Sequence, residues 1–137
     1  MSYGLAAALQ SAIYQRLTSD PNLSALVGGA VFDALPQGDI PELYIGLGPE
    51  EVKDASDLDG SGAVHRFTLS VVSARTGFAA AKTVAAAIND ALFSSALILD
   101  RGRLVGLWFE RAHVRRDGKA GRVRRIDLKF RARVEDN

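Results

Sequence analysis

The last part of the chain alternates strictly between apolar and charged residues. A β-strand points successive side chains to opposite faces of a sheet, so this alternation predicts a strand with one core face and one charged face. The even, apolar positions are Ile126, Leu128, Phe130, Ala132 and Val134, and the odd, charged positions are Arg125, Asp127, Lys129, Arg131 and Arg133. The positive charge of the strand therefore emerges on a single face.

The preceding segment is predicted to pair with this strand. Residues 104–116 and 121–134 both read as strands, and Asp117-Gly118 between them is a dipeptide typical of tight hairpin turns. Arg111, His113 and Arg115 would then form a second basic row beside the first. Because like charges repel, we expect an acidic surface or a phosphate backbone against this face. The candidate interface residues are Arg111, Arg115, Arg122, Arg124, Arg125, Lys129, Arg131 and Arg133.

Charge is sorted along the chain. Residues 101–134 hold twelve basic and three acidic side chains, whereas residues 1–100 hold five basic and eleven acidic ones. The net charge of +1 therefore hides a dipole. Such a protein can attract nucleic acid with its basic part, or attract other copies of itself head to tail.

Five of the acidic residues fall in one segment of low apolar content, residues 49–62. They are Glu50, Glu51, Asp54, Asp57 and Asp59. Few side chains here could offset the entropy of ordering, so the segment is predicted to be a mobile acidic loop. Long loops in small domains usually serve binding, and we expect this one to become ordered against a partner.

The rest of the chain predicts two main helices and further strands. Apolar residues recur with helical spacing in both helices, and residues 63–71 alternate with the odd positions inward. The fold class is α+β: one domain, residues 1–137, in which a mostly antiparallel sheet of about four to five strands packs on two main helices and ends in the β-hairpin. The predicted helices are 3–18, a short turn at 22–27, and 76–93. Short strands are predicted at 31–35 and 43–47, as candidates for the edges of the sheet.

No catalytic, metal or cofactor motif is present in the sequence. There is no cysteine, and His65 and His113 lie in separate strands without metal-ligand spacing. Asp127 could hold Mg²⁺ in a nuclease, but the neighbouring arginines favour an ion pair. Trp108, in an apolar run, is assigned to packing or to a subunit interface. We predict that the chain is not an enzyme, needs no cofactor, spans no membrane and is made in the cytoplasm.

Several segments resemble, in order, a family of phage and gene transfer agent tail-completion proteins. The similarity begins with Leu9-Gln10-Ser11-Ala12-Ile13-Tyr14-Gln15-Arg16-Leu17 and Leu23-Ser24-Ala25-Leu26-Val27-Gly28. It continues through Val31-Phe32-Asp33, Pro41-Glu42-Leu43-Tyr44-Ile45-Gly46-Leu47-Gly48 and Ser73-Ala74-Arg75-Thr76-Gly77-Phe78 before the alanine-rich helix. It covers nearly the whole chain.

The resemblance implies a tail terminator, a structural protein of the virion at the junction of tail and head. Such proteins form a ring, usually a homohexamer, that caps the tail tube and joins it to the head connector. The implied partners are other copies of the chain, the tail tube protein and the connector or stopper protein, with DNA passing through the lumen. Two alternatives stay open: a head-completion adaptor or stopper, and a small non-specific nucleic-acid-binding protein.

Overall fold

The structure is a computed structural model that describes residues 3–58 and 60–136. In this part of the chain, three α-helices and a five-stranded sheet form an α+β fold, which confirms the predicted class. The helices are α1 (Ala6–Ser19), α2 (Pro21–Val27) and α3 (Ala79–Phe93). The strands are β1 (Val31–Phe32), β2 (Leu43–Asp54), β3 (Gly62–Ser73), β4 (Arg103–Asp117) and β5 (Val123–Glu135).

The sheet is mostly antiparallel. Its spatial order is β1-β2-β3-β5-β4, and among the described strands only the β1–β2 pair is parallel. The C-terminal hairpin is present as predicted, with a short 3₁₀ turn at Lys119–Gly121 between its strands. Strand β4 forms one edge of the sheet. At the other edge, β1 covers only Ile45 and Gly46 of β2, so the second half of β2 is also an edge.

Local signals set the ends of the first two helices. Leu9, Ile13 and Leu17 are buried along one side of α1, as their spacing predicts. The Asp20 side chain accepts a hydrogen bond from the Leu23 backbone N–H at 3.0 Å, and proline follows at the first helical position. Gly28 ends α2 in a left-handed conformation, with φ of 60°. The predicted cap and stop are therefore confirmed.

The apolar side of β5 is the centre of the core. All five even positions from Ile126 to Val134 are buried in one cluster with residues of all three helices and the odd positions of β3. Phe130 is fully buried, and its ring centroid lies 5.5 Å from that of Phe67, 5.7 Å from Phe109 and 6.3 Å from Phe93. The predicted inward and outward positions of both strands are confirmed.

The prediction of an acidic loop over residues 49–62 is wrong for half of that segment. Strand β2 continues to Asp54, and Glu50, Glu51 and Asp54 pair in register with β3. A β-bulge between Leu47 and Glu50 lets the strand pass Pro49, and Val52 then packs against the core. Backbone hydrogen bonds to β3 offset the entropy cost of ordering this segment, which its few apolar side chains could not offset. Only residues 55–61 connect the strands, and Asp59 lies outside the described residues.

Truncating the central ring should cost more stability than any surface change. Phe130→Ala is expected to lower the free energy of unfolding by about 3–5 kcal/mol, because it opens a cavity among three aromatic rings. Phe93→Ala, at a ring that is 44% exposed, should cost clearly less. Urea denaturation of both variants measures the difference; equal losses would contradict the central role of Phe130.

Candidate interface on the helix-free face of the sheet

The odd positions of β5 lie on the sheet face that carries no helix. Their cross-strand neighbours on β4 are Arg111, His113 and Arg115, which pair with Lys129, Asp127 and Arg125. The second basic row is thus placed beside the first, as predicted. We call this surface the basic face and define it by Arg111, Arg115, Arg125, Lys129, Arg131 and Arg133.

Asp127 organises one half of the basic face. Its Oδ1 accepts a hydrogen bond from the Ser70 hydroxyl at 2.5 Å and another from Arg125 Nε at 3.0 Å, while Arg115 Nη2 lies 3.6 Å from Oδ2. Partial burial acts to raise the pKa of Asp127, but these hydrogen bonds and the charges of both arginines outweigh it and lower the pKa below its usual range. The predicted ion pair is present, so Asp127 is not a free metal ligand.

Arg111 and Lys129 lack a counter-charge in the described part of the chain, whereas Arg133 of the same face has one, with its Nη2 3.9 Å from a carboxylate oxygen of Glu135. Arg111 and Lys129 are directly opposite each other in the β4–β5 register, and neither forms an ion pair within residues 3–58 and 60–136. Like charges in opposite positions of neighbouring strands are destabilising. An anionic group of a binding partner would therefore gain the most electrostatic binding energy at these two cations.

The paired and unpaired cations surround one open depression of about 300 Å³. Its lining residues are Pro49, Thr68, Arg111, His113, Arg115, Arg125, Asp127 and Lys129. Pro49 reaches the rim because the bulge in β2 lies beside it. The depression is concave and basic, so it is suited to a protruding acidic group.

Trp108 covers the adjacent part of the face. The Arg131 guanidinium lies 4.5 Å from the Trp108 ring centroid, a cation–π contact. Trp108 is 44% exposed, so the prediction of an interface residue agrees with its surroundings better than core packing does. Next to it, Arg66 Nε lies 3.4 Å from a carboxylate oxygen of Glu110.

Two predicted members of the interface lie elsewhere. Arg124 is opposite Arg116, at positions that alternate to the helix side of the sheet, and its Nη1 donates to the Arg122 carbonyl at 3.0 Å. Arg122 is exposed beside the hairpin turn. Counting charges along the sequence joined these residues to the basic face, but strand alternation and the turn separate them from it.

The acidic residues of 49–62 are not one surface either. Glu50 lies on the helix side, where its Oε2 is 3.1 Å from Nδ1 of the fully buried His65, whereas Glu51 pairs with Arg66 on the helix-free side. Asp54 accepts a hydrogen bond from Ser56 at 2.8 Å, and Asp57 accepts one from the Gly60 backbone at 3.0 Å. Because β2 is a strand, neighbouring acids point to opposite faces.

A second surface was not predicted from the sequence. An open groove of about 540 Å³ runs between α1 and β2. Its lining is Tyr3, Ala6, Ala7, Gln10, Ser11, Tyr14, Asp33, Leu47 and Glu50, which includes two carboxylates and no basic residue. We call it the acidic groove. The spacing of Tyr3, Ala7, Gln10 and Tyr14 is that of one helical face, so the sequence indicates one wall of the groove. The other wall could not be predicted, because Asp33 and Glu50 come from distant segments of the chain.

Within the described residues, no three His, Asp or Glu side chains are grouped so that they could hold a metal ion. None of the described helices is long and apolar enough to cross a membrane. Together, the charged face, the open groove and the exposed hairpin have the chemistry of a protein that works by binding other macromolecules.

Comparison with known families identifies the kind of binding protein. Residues 11–135 match the family model of the tail completion protein gp17. The chain therefore belongs to this family, and the resemblance seen in the sequence is confirmed. Family membership gives it a structural role in completing a virion tail, which agrees with the prediction that it is not an enzyme.

A solved structure supports the same assignment. The chain is similar to a chain in a structure titled "Virion of native gene transfer agent (GTA) particle", with 57% identity and a TM-score of 0.92. The match covers 98% of this chain and 99% of that one. A comparison with curated proteins found no match.

The Asp127 cluster makes a prediction about acid stability. The pKa of Asp127 is lowered in the folded chain, so its stabilising effect is present above the unfolded pKa of about 4 and is lost as pH falls below that value. Asp127→Asn should cost about 1–3 kcal/mol of unfolding free energy at neutral pH. The difference from the wild type should shrink below about pH 4.

Urea denaturation across this pH range measures the effect. Asp90→Asn removes an exposed carboxylate from α3 and serves as the matched control. A constant difference between Asp127→Asn and the wild type at all pH values would contradict the assignment.

Proposed function

We propose that this chain is a tail terminator that forms a ring on the end of the tail tube and joins it to the head connector. The observation that carries the proposal is the basic face, which is open in the single chain and contains the cation pair Arg111–Lys129 without a carboxylate among the described residues. In a tail completion protein, an acidic surface of a neighbouring virion protein would supply the missing counter-charge.

A ring also requires different surfaces at the two ends of each subunit. A head-to-tail contact is heterologous, so its two halves cannot be the same patch. The acidic groove lies at the β2 end of the sheet and the basic hairpin at the β4 end. This polarity supports a closed ring of copies, and a homohexamer is the stoichiometry that we propose.

The details of the basic face favour a protein partner over DNA. A carboxylate repels phosphate, and Asp127 lies within the depression and neutralises part of the charge of Arg115 and Arg125. The Arg131 guanidinium covers one face of the exposed Trp108 ring, which leaves less of the ring for stacking with a base. DNA then passes through the lumen without being gripped by this face.

The similar chain in a gene transfer agent particle supports a place in a particle of that kind. We propose that this chain is likewise built into the virion, between the tail tube and the head connector. There its neighbours would be other copies of itself, the tail tube protein and the connector or stopper protein.

Charge reversal at the unpaired cations tests the function. Arg111→Glu with Lys129→Glu should reduce joining of tails to heads by about tenfold or more, because like charges across an interface cost several kcal/mol. Joined particles are counted by electron microscopy after tails, heads and purified protein are mixed. Circular dichroism checks that the variant folds.

Two control variants separate an effect of the basic face from an effect of net charge or of folding. Arg75→Glu with Lys82→Glu makes the same change in net charge at exposed positions outside the basic face, and it should join normally. Arg111→Gln with Lys129→Gln should fold at least as stably as the wild type, since it removes a repulsive pair. Normal joining by the Glu variant would overturn the proposal. Tight, salt-sensitive DNA binding that this variant abolishes would favour a nucleic-acid-binding protein instead.

A further inference from the structure

The acidic groove has the chemistry of a site for cationic side chains. Tyr3 and Tyr14 are 63% and 41% exposed along one side of α1, and Leu47 contributes an apolar side chain to the lining. Asp33 forms no hydrogen bond or ion pair with any described residue. Tyrosine rings beside carboxylates bind guanidinium and ammonium groups well, and small residues leave room for their aliphatic stems.

Glu50 is fixed at the edge of this groove. Its Oε2 lies 3.1 Å from the buried Nδ1 of His65, and its side chain remains 27% exposed. Oε1 forms no hydrogen bond within the described residues. The carboxylate is therefore held in place by one oxygen and keeps the other for a ligand.

The β4–β5 hairpin carries an exposed basic edge and tip at the β4 side of the sheet. Every residue from 108 to 120 is exposed, since the helices cover β3 and β5 but not the outer part of β4. At its tip, Lys119 and Arg122 are exposed and form no ion pair in the described residues. The tip is convex and basic, whereas the groove is concave and acidic.

No described residue of the hairpin lines the acidic groove of its own chain. In the sheet order, β3 and β5 lie between β2, which lines the groove, and β4, which carries the hairpin. Between copies the two surfaces can meet, because each copy offers one of each. When each copy binds the next through two different surfaces, the copies are arranged head to tail.

We propose that the acidic groove binds the hairpin tip of the next copy of this chain, with Asp33 and Glu50 receiving the cations of Lys119 and Arg122. This inference rests on the proposed ring and names the surfaces that close it. It also assigns the ring contact to residues outside the basic face, which stays available for the neighbouring virion proteins.

Exchange of charge between the two surfaces tests the contact. One variant carries Asp33→Lys in the groove, and the other carries Lys119→Glu with Arg122→Glu in the hairpin. Alone, the hairpin variant opposes like charges at both acids of the groove, and the groove variant opposes like charges at position 33 while Glu50 stays acidic. Rings on purified tail tubes should therefore fall by about tenfold or more with the hairpin variant, and by less with the groove variant. In an equal mixture, alternating subunits place a reversed groove against a reversed hairpin and an original groove against an original hairpin. The mixture should therefore recover most of the rings.

Electron microscopy of the tube ends counts the rings, with Asp90→Lys and Lys82→Glu as controls at exposed positions on α3. Normal rings from either variant alone would overturn the contact, and so would a mixture that fails to recover. Recovery also excludes misfolding as the cause of the losses. If the wild type forms no ring on tubes, the proposed function is wrong. If the wild type forms rings but the mixture of variants does not recover them, the proposed function stands and the pairing of groove with hairpin is wrong.

Discussion

Burial of the apolar side of β5 beneath the helices is the constraint on which the rest of the structure depends. Phe130 contacts aromatic rings from β3, β4 and α3, so a single side chain connects the hairpin, the sheet and the helix layer. A shift of β5 by one residue would bring its charged positions into the core. The register of the hairpin is therefore fixed by the core.

The same constraint determines where charge can lie. Once the even positions of β5 are buried, its odd positions must emerge on the opposite face, next to those of β4. The helices do not cover that face, because they pack on the apolar side of β3 and β5. The outer part of β4 lies beyond the helix layer, so residues 108–120 are exposed. A single chain thus exposes a basic face, a basic tip and an acidic groove, and each of these gains from a partner of opposite charge.

Much of the fold could be predicted from the sequence where a pattern is local. The alternation in β5, the Asp117-Gly118 turn and the Asp20-Pro21 helix start each depend on neighbouring residues, and all were confirmed. The extension of β2 through Glu50 and Glu51 could not be predicted, because it depends on pairing with β3 and on a bulge at Pro49. Composition alone describes a loop there.

The candidate site was predictable to a similar extent. Alternation placed Arg125, Lys129 and Arg131 correctly, and pairing then placed Arg111 and Arg115. The positive charge of residues 101–134 also predicts Arg122 and Arg124 as members, whereas the turn and the strand period place them outside the basic face. The acidic groove was missed because Tyr14, Asp33 and Glu50 meet only after the chain has folded.

We propose that copies of this chain form a ring that is closed by contacts between unlike ends of neighbouring subunits. Electron cryomicroscopy of the wild-type protein bound to tail tubes tests it most directly. We expect one closed ring at the tube end, with the hairpin of each copy in the acidic groove of the next. Copies joined through identical patches, or tube ends without a ring, would contradict it.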